Sequence, residues 1–199
     1  RYPHQQTRAE FDQSLYRIDW DWCFSIHFRG DYSNSQWALQ HPMIQRLSAI
    51  HFHGDWRGSN PEAFQQSRLL LDEVEKSPYL SNIAELGLDV PLSLELLSQF
   101  LSSPIIEQLN ALSLSGSQLQ DHALTRVFHT ETFTNLRRLK LDSGILSSSG
   151  IASLENSDPL KNLTSLSLSN FRFAPGTIGR LMSSSVLRNV QRVSVNGSN

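Results

Sequence analysis

A six-residue pattern of apolar residues returns seven times along the chain at a nearly constant spacing. In each copy, apolar residues occupy the first, fourth and sixth positions. The copies are CFSIHF (23–28), LSAIHF (47–52), IAELGL (83–88), LNALSL (109–114), LRRLKL (136–141), LTSLSL (163–168) and VQRVSV (190–195). The last residues of successive copies are 24, 36, 26, 27, 27 and 27 positions apart. This period constrains the fold strongly because it predicts a stack of equivalent units.

Each unit predicts a short strand followed by a short helix. The alternation of apolar and other residues places Leu139 and Leu141 on one face of a strand and Lys140 on the other. Between the strands, apolar residues recur at the three- and four-residue spacing of an amphipathic helix. The predicted helices are LSLELLSQFL (92–101), DHALTRVF (121–128), SSGIASLE (148–155), GTIGRLM (176–182) and the longest, AFQQSRLLLDEVEK (63–76). We expect Pro78 and Pro104 to end helices and to turn the chain toward the next strand.

One unit cannot bury its own apolar face, so neighbouring units must stack. The predicted fold is an α/β right-handed solenoid of about seven repeats, with a parallel sheet on the concave face and helices on the convex face. We expect one domain over 1–199, with regular repeats over 77–199 and an irregular cap over 1–60. An inserted loop is predicted around 55–64. The chain ends on a strand without a covering helix, which predicts either a fragment or an edge covered by another chain.

All four tryptophans fall within the predicted cap: Trp20, Trp22, Trp37 and Trp56. Large aromatic rings can cover the exposed core end of a solenoid. We therefore interpret most of them as cap packing, with a ligand platform as the alternative.

The LxxLxL cores and the repeat length of about 27 residues resemble those of leucine-rich repeat proteins of the ribonuclease-inhibitor-like class. SPYLSNIAEL (77–86) and SPIIEQLNAL (103–112) are also similar to the repeats of bacterial leucine-rich proteins of the planctomycete repeat-companion type. The short companion motif that opens many of those proteins is not evident. The resemblance implies a binding scaffold, commonly for proteins, without a shared active site.

Charge and composition disfavour several function classes. The net charge is −2, with 17 basic and 19 acidic residues, so the basic excess of a nucleic-acid binder is missing. No apolar run is long enough for a membrane span and the start is too polar for a signal peptide, which predicts a cytoplasmic protein without a membrane partner. Cys23 is the single cysteine, so an intrachain disulfide cannot form. Common catalytic and cofactor motifs are absent, so we expect neither an enzyme nor a cofactor.

The strand register predicts three columns of side chains on the concave face. The first column is Ser25, Ala49, Glu85, Ala111, Arg138, Ser165 and Arg192. The second is His27, His51, Gly87, Ser113, Lys140, Ser167 and Ser194. The third is Arg29, His53, Asp89, Ser115, Asp142, Ser169 and Asn196. The candidate partner contacts are the charged and histidine members of these columns: His27, Arg29, His51, His53, Glu85, Asp89, Arg138, Lys140, Asp142 and Arg192.

The near-duplicates SIHFRGD (25–31) and AIHFHGD (49–55) allow three interpretations: a metal-binding histidine pair, an adhesive RGD tripeptide and a structural repeat. The strand register favours the repeat, and a tight turn at the strand exit explains the glycine. His27 and His51 are then neighbours on adjacent strands. A zinc site needs three or four ligands, and no third ligand is obvious beyond His53 or Asp55, so we expect no metal site here. A polar surface that contacts a partner is the favoured interpretation, and plain solvent exposure is the alternative.

These observations predict a non-catalytic leucine-rich repeat scaffold that binds a protein partner, as yet unknown, through its concave face. The alternative is a passive structural segment of a larger multidomain protein whose activity lies elsewhere.

Overall fold

The computed structural model describes residues 25–29, 32–54, 61–115 and 119–197, without the side chains of residues 29 and 32–35. Seven strands form one sheet in which all neighbours are parallel and the spatial order equals the order in the chain. The strands are β1 (Ser25–Arg29), β2 (Ala49–His53), β3 (Glu85–Asp89), β4 (Ala111–Ser115), β5 (Arg138–Leu146), β6 (Ser165–Phe173) and β7 (Arg192–Gly197). The predicted stack of about seven units is therefore confirmed.

The leucines of the repeat line one continuous core. Leu86, Leu112, Leu139 and Leu166 pair along successive strands, and each is at most 1% exposed. A second row two residues later comprises Leu88, Leu114, Leu141 and Leu168, which are equally buried. At the first two strands the core continues through phenylalanines, whose rings stack with centroids 5.4 Å apart. Burying each such side chain contributes roughly 1.5–3 kcal/mol, so these buried rows are the main source of the fold's stability.

Helices connect the strands. They are α1 (Tyr32–Leu39), α2 (Pro61–Lys76), α3 (Leu94–Leu101), α4 (Ile105–Gln108), α5 (Asp121–Phe128), α6 (Ser148–Glu155) and α7 (Thr177–Ser183). The bounds of α5 and α6 coincide with the predicted segments, and α2 is the longest, at 16 residues. Within the described ranges, none of these helices is long and apolar enough to cross a bilayer.

Pro78 and Pro104 follow the ends of helices, as predicted, and some prolines also stand at the start of new turns. Helices α2 and α3 end at Lys76 and Leu101, before Pro78 and Pro104. Pro104 also precedes α4, and 3-10 turns begin at Pro42 and Pro159. A fixed φ and a missing N–H suit proline to the first turn of a helix. Pro42, Pro104 and Pro159 therefore stand at the start of a second, short helical turn just before a strand.

Strands β5 and β6 have nine residues each and extend beyond the six-residue apolar pattern. Ser143 and Asn170, at the same repeat position, have left-handed backbones with φ of 65° and 55°. Pairing resumes beyond this kink, where a Cβ at Gly144 would lie 2.5 Å from the Phe171 ring and 2.6 Å from the Leu119 carbonyl oxygen. Glycine permits this close approach, which the apolar pattern did not indicate.

Part of the predicted cap lies outside the described residues. Trp20, Trp22 and Trp56 fall there, as do most of the predicted insertion and Gly30 and Asp31 of the RGD tripeptide. Trp37 is half-buried and packs against the core, which fits the interpretation as packing.

Candidate functional site

The concave face carries three columns in the predicted register. The second column pairs His27 with His51, then with Gly87, Ser113, Lys140, Ser167 and Ser194. Its middle is lined by small residues, and two alanines of the first column, Ala49 and Ala111, are buried although they point away from the core. Larger neighbours on this face cover them. The face therefore combines a low central floor with projecting polar side chains at both ends.

Three histidines meet at the N-terminal end of this face, and we call His27, His51 and His53 the histidine cluster. The His27 ring stacks on the His51 ring, with centroids 4.4 Å apart and planes 6° apart. It also lies 5.3 Å from the His53 ring, and His27 Nδ1 is 3.0 Å from His53 Nε2. One ring nitrogen from each residue falls within 4.8 Å of the others. The strand register predicts the His27–His51 neighbours, and the structure places His53, the possible third ligand, beside them.

The His51 ring occupies the space above Gly87 on the next strand. A Cβ at Gly87 would lie 2.1 Å from His51 Nδ1 and 2.9 Å from its Cγ. Burial lowers the pKa of His51, and the neighbouring His27, His53 and Lys140 lower it further, while Glu85 opposes them. Removing an imidazole from water disfavours its charged form, which gives this direction. The absence of a side chain at position 87 leaves the space in which the ring is half-buried, and burial favours the neutral imidazole.

Two carboxylates hold the outer edges of the histidine cluster. Glu85 Oε1 is 3.4 Å from His51 Nε2, and Asp89 Oδ2 is 3.6 Å from His53 Nδ1. Glu85 also accepts a 2.6 Å hydrogen bond from Arg138 Nη2, two strands away. These side chains span the small Ala111 between them, since Ala111 pairs with Glu85 on one side and with Arg138 on the other. Six of the ten candidate contact residues therefore form one connected group.

The other four candidates lie apart. Asp142 accepts hydrogen bonds from Asn170 Nδ2 at 2.8 Å and from Ser143 Oγ at 3.1 Å. Lys140 and Arg192 are exposed, and in the described part of the chain no carboxylate lies within ion-pair distance of either. The backbone of Arg29 pairs with His53, but the side chain lies outside the described residues.

Sequence reasoning missed a polar contact on the convex side. Asp121, at the start of α5, accepts hydrogen bonds from the Ser147 backbone N–H at 3.2 Å, the Ser147 hydroxyl, and the Ser149 hydroxyl at 2.6 Å. Burial would raise the pKa of Asp121, but these hydrogen bonds outweigh it and hold the pKa below its usual value. The contact joins two repeats at their helix N-termini. A signal was available, because Ser147 and Ser149 begin the helix one repeat after Asp121.

Comparisons with protein-family models and with curated proteins found no match. Among solved structures, the chain is similar to a protein from Bacteroides fragilis, with 12% identity and a TM-score of 0.43 over 99% of this chain and 72% of the other. It is also similar to an internalin from Listeria monocytogenes, with 12% identity and a TM-score of 0.37 over 82% of this chain. That match spans 46% of the internalin chain, less than half its length.

The chain's own geometry identifies the fold. Each strand carries the apolar pattern of the repeat, and every described strand pairs in parallel with the next. The leucines of successive repeats form continuous buried rows. The chain is an α/β solenoid of the leucine-rich-repeat type.

Proposed function

We propose that this protein is a non-catalytic binding module that recognises a protein partner through its concave face. The observation that supports this proposal is the column register, which sets polar side chains from seven strands on one surface at fixed spacing. Rigid strands hold these groups in place before binding, so little conformational entropy is lost in ordering them. A stacked repeat provides such an extended surface in place of an enclosed pocket.

The two halves of the face differ in charge. Arg138, Lys140 and Arg192 project from β5 and β7, where Asp142 is the acidic candidate and already accepts two hydrogen bonds. The other half contains the histidine cluster with its two carboxylates. We propose that the partner places acidic groups opposite Lys140 and Arg192 and covers the half-buried Ser113 and Ser115 of β4 between the two halves. Charge complementarity of this kind raises association rates and selects partners.

Site-specific photo-crosslinking in extracts of the native source tests this proposal. One probe replaces Ser194, which is exposed on the concave face, and a matched probe replaces Thr125, which is exposed on α5. We expect one defined polypeptide to be captured by the concave probe and not by the convex probe. Binding of that purified polypeptide is then measured by calorimetry.

Charge reversal supplies the matched control. Lys140→Glu with Arg192→Glu should weaken binding of the captured polypeptide by at least about 10-fold. The change removes the attraction to acidic groups of the partner and replaces it with repulsion between like charges. Arg126→Glu with Arg188→Glu introduces the same change in net charge at exposed positions away from the concave face and should leave binding unchanged. Equal capture by both probes, or equal binding by both double variants, would favour the passive structural segment instead.

A further inference from the structure

We propose that the histidine cluster is a binding site for a divalent transition metal ion, with zinc as the most suitable probe. Neutral imidazole is a common ligand for zinc, copper and nickel. His27, His51 and His53 each offer one ring nitrogen, and the three atoms lie within 4.8 Å of one another. This inference concerns a different ligand from the protein partner proposed above and stands without it.

The spacing is close to what a tetrahedral site requires. Zn–N bonds of about 2.0–2.1 Å place two ligand nitrogens roughly 3.3 Å apart. His27 Nδ1 and His53 Nε2 are already 3.0 Å apart. The three rings are nearly parallel, with interplanar angles of 5° to 11°, so their in-plane lone pairs converge only after the rings rotate. The broad χ2 torsion of histidine permits this rotation without moving the strands.

Glu85 and Asp89 lie beside His51 and His53, in the positions of the hydrogen-bond partners that orient metal-bound histidines. A metal-bound histidine usually donates its second ring N–H to a carboxylate, a carbonyl or water, which fixes the tautomer and orients the ring. In His53, Asp89 lies beside Nδ1 and leaves Nε2 directed toward His27. In His51, Glu85 lies beside Nε2, so Nδ1, which lies over Gly87, would be the ligand atom. Arg138 in turn holds Glu85.

The hydrogen atoms can be assigned consistently. With the His53 hydrogen on Nδ1, toward Asp89, His53 Nε2 accepts from His27 Nδ1–H in the metal-free protein. Metal binding requires both of these nitrogens as lone-pair donors, so His27 moves its hydrogen to Nε2. His27 is exposed, so water can accept a hydrogen bond there. Three neutral imidazoles thus bind the ion with no net release of a proton, and a fourth position stays open toward the concave face.

Calorimetric titration of the untagged chain with zinc chloride tests the proposal. We expect one ion per chain with micromolar or tighter affinity, and visible absorption bands of tetrahedral geometry when cobalt(II) replaces zinc. His27→Gln and His53→Gln should each weaken zinc binding at least about 10-fold, and Asp89→Asn should weaken it by about 10-fold through loss of ring orientation. His122→Gln, at an exposed position on α5, is the matched control and should bind like the parent.

Both histidine variants replace side chains that are not part of the core, and circular dichroism of each verifies that it folds. The proposal is wrong if the parent shows no zinc binding at millimolar concentrations. It is equally wrong if the His27 and His53 variants bind like the parent, because the ion then lies elsewhere. Loss of binding in the His122 variant alone would also overturn it.

Discussion

Gly87→Ala tests whether the absence of a side chain at position 87 allows the His51 ring to occupy its half-buried position. The new Cβ would lie 2.1 Å from His51 Nδ1, whereas ordinary contact begins near 3.4 Å, so the ring must retreat by about 1.3 Å. Gly87 lies within β3, so its backbone is extended and accepts alanine. The clash therefore falls on a side chain that can rotate away from the strand.

We expect a small change in stability and a clear change in titration. Replacing glycine in a strand contributes about 0.5–1 kcal/mol through reduced chain entropy, and displacing the half-buried ring offsets it, so the net change stays within about 1 kcal/mol. Once the ring moves out of this position, burial, the main cause of the lowered pKa of His51, is reduced. The pKa of His51 should rise toward its usual value of 6.5.

The sign of the pH dependence follows. In the parent, the folded-state pKa of His51 lies below its unfolded value, so the folded protein binds the proton less readily. This contribution to stability is present above pH 6.5 and is lost as the pH falls through the folded-state pKa. Gly87→Ala should therefore lose less stability than the parent as the pH is lowered through this window.

Imidazole NMR titration in the presence of EDTA measures the pKa of His51, with His122 as an internal reference. Urea unfolding measures stability. Gly179→Ala is the matched control, because a Cβ there meets nothing within 4 Å, and it should stabilise the protein by about 0.5–1 kcal/mol as a helix substitution. An unchanged pKa of His51, or a loss of more than about 2 kcal/mol in the free energy of unfolding of Gly87→Ala, would refute this role of Gly87.

Two further predictions concern the repeat itself. Leu139→Ala should reduce the free energy of unfolding by roughly 2–5 kcal/mol, because it opens a cavity in the buried leucine row, whereas Lys140→Ala should change it by less than about 0.5 kcal/mol; equal losses in urea unfolding would contradict the strand register. Asp121→Asn should cost about 1 kcal/mol near neutral pH by weakening the contact between repeats. The pKa of Asp121 lies below 3.8 in the fold, so its contribution is present above that pH and is lost as the pH falls below it; a variant with the same acid unfolding curve as the parent would contradict this.

The repeat period predicted the strands because the hydrophobic effect favours burying the apolar residues of each repeat against those of the next. Leu112, Leu139 and Leu166 lie in one row for that reason, and the outward columns follow from alternation along each strand. From the columns, His27 and His51 could be predicted as neighbours. The same apolar spacing predicted five of the seven described helices, but neither α1 nor α4.

The sequence did not determine which side chains on the concave face touch, because exposed groups are placed by rotamers and by the space their neighbours leave. His51 lies over Gly87 because no side chain competes for that volume. Glu85 reaches Arg138 across strand β4 because Ala111 between them is small. The apolar period predicts which side chains are buried, and the columns predict which residues lie on adjacent strands. The convergence of three imidazoles and two carboxylates depends on the tertiary structure, because stacked strands hold these side chains close together.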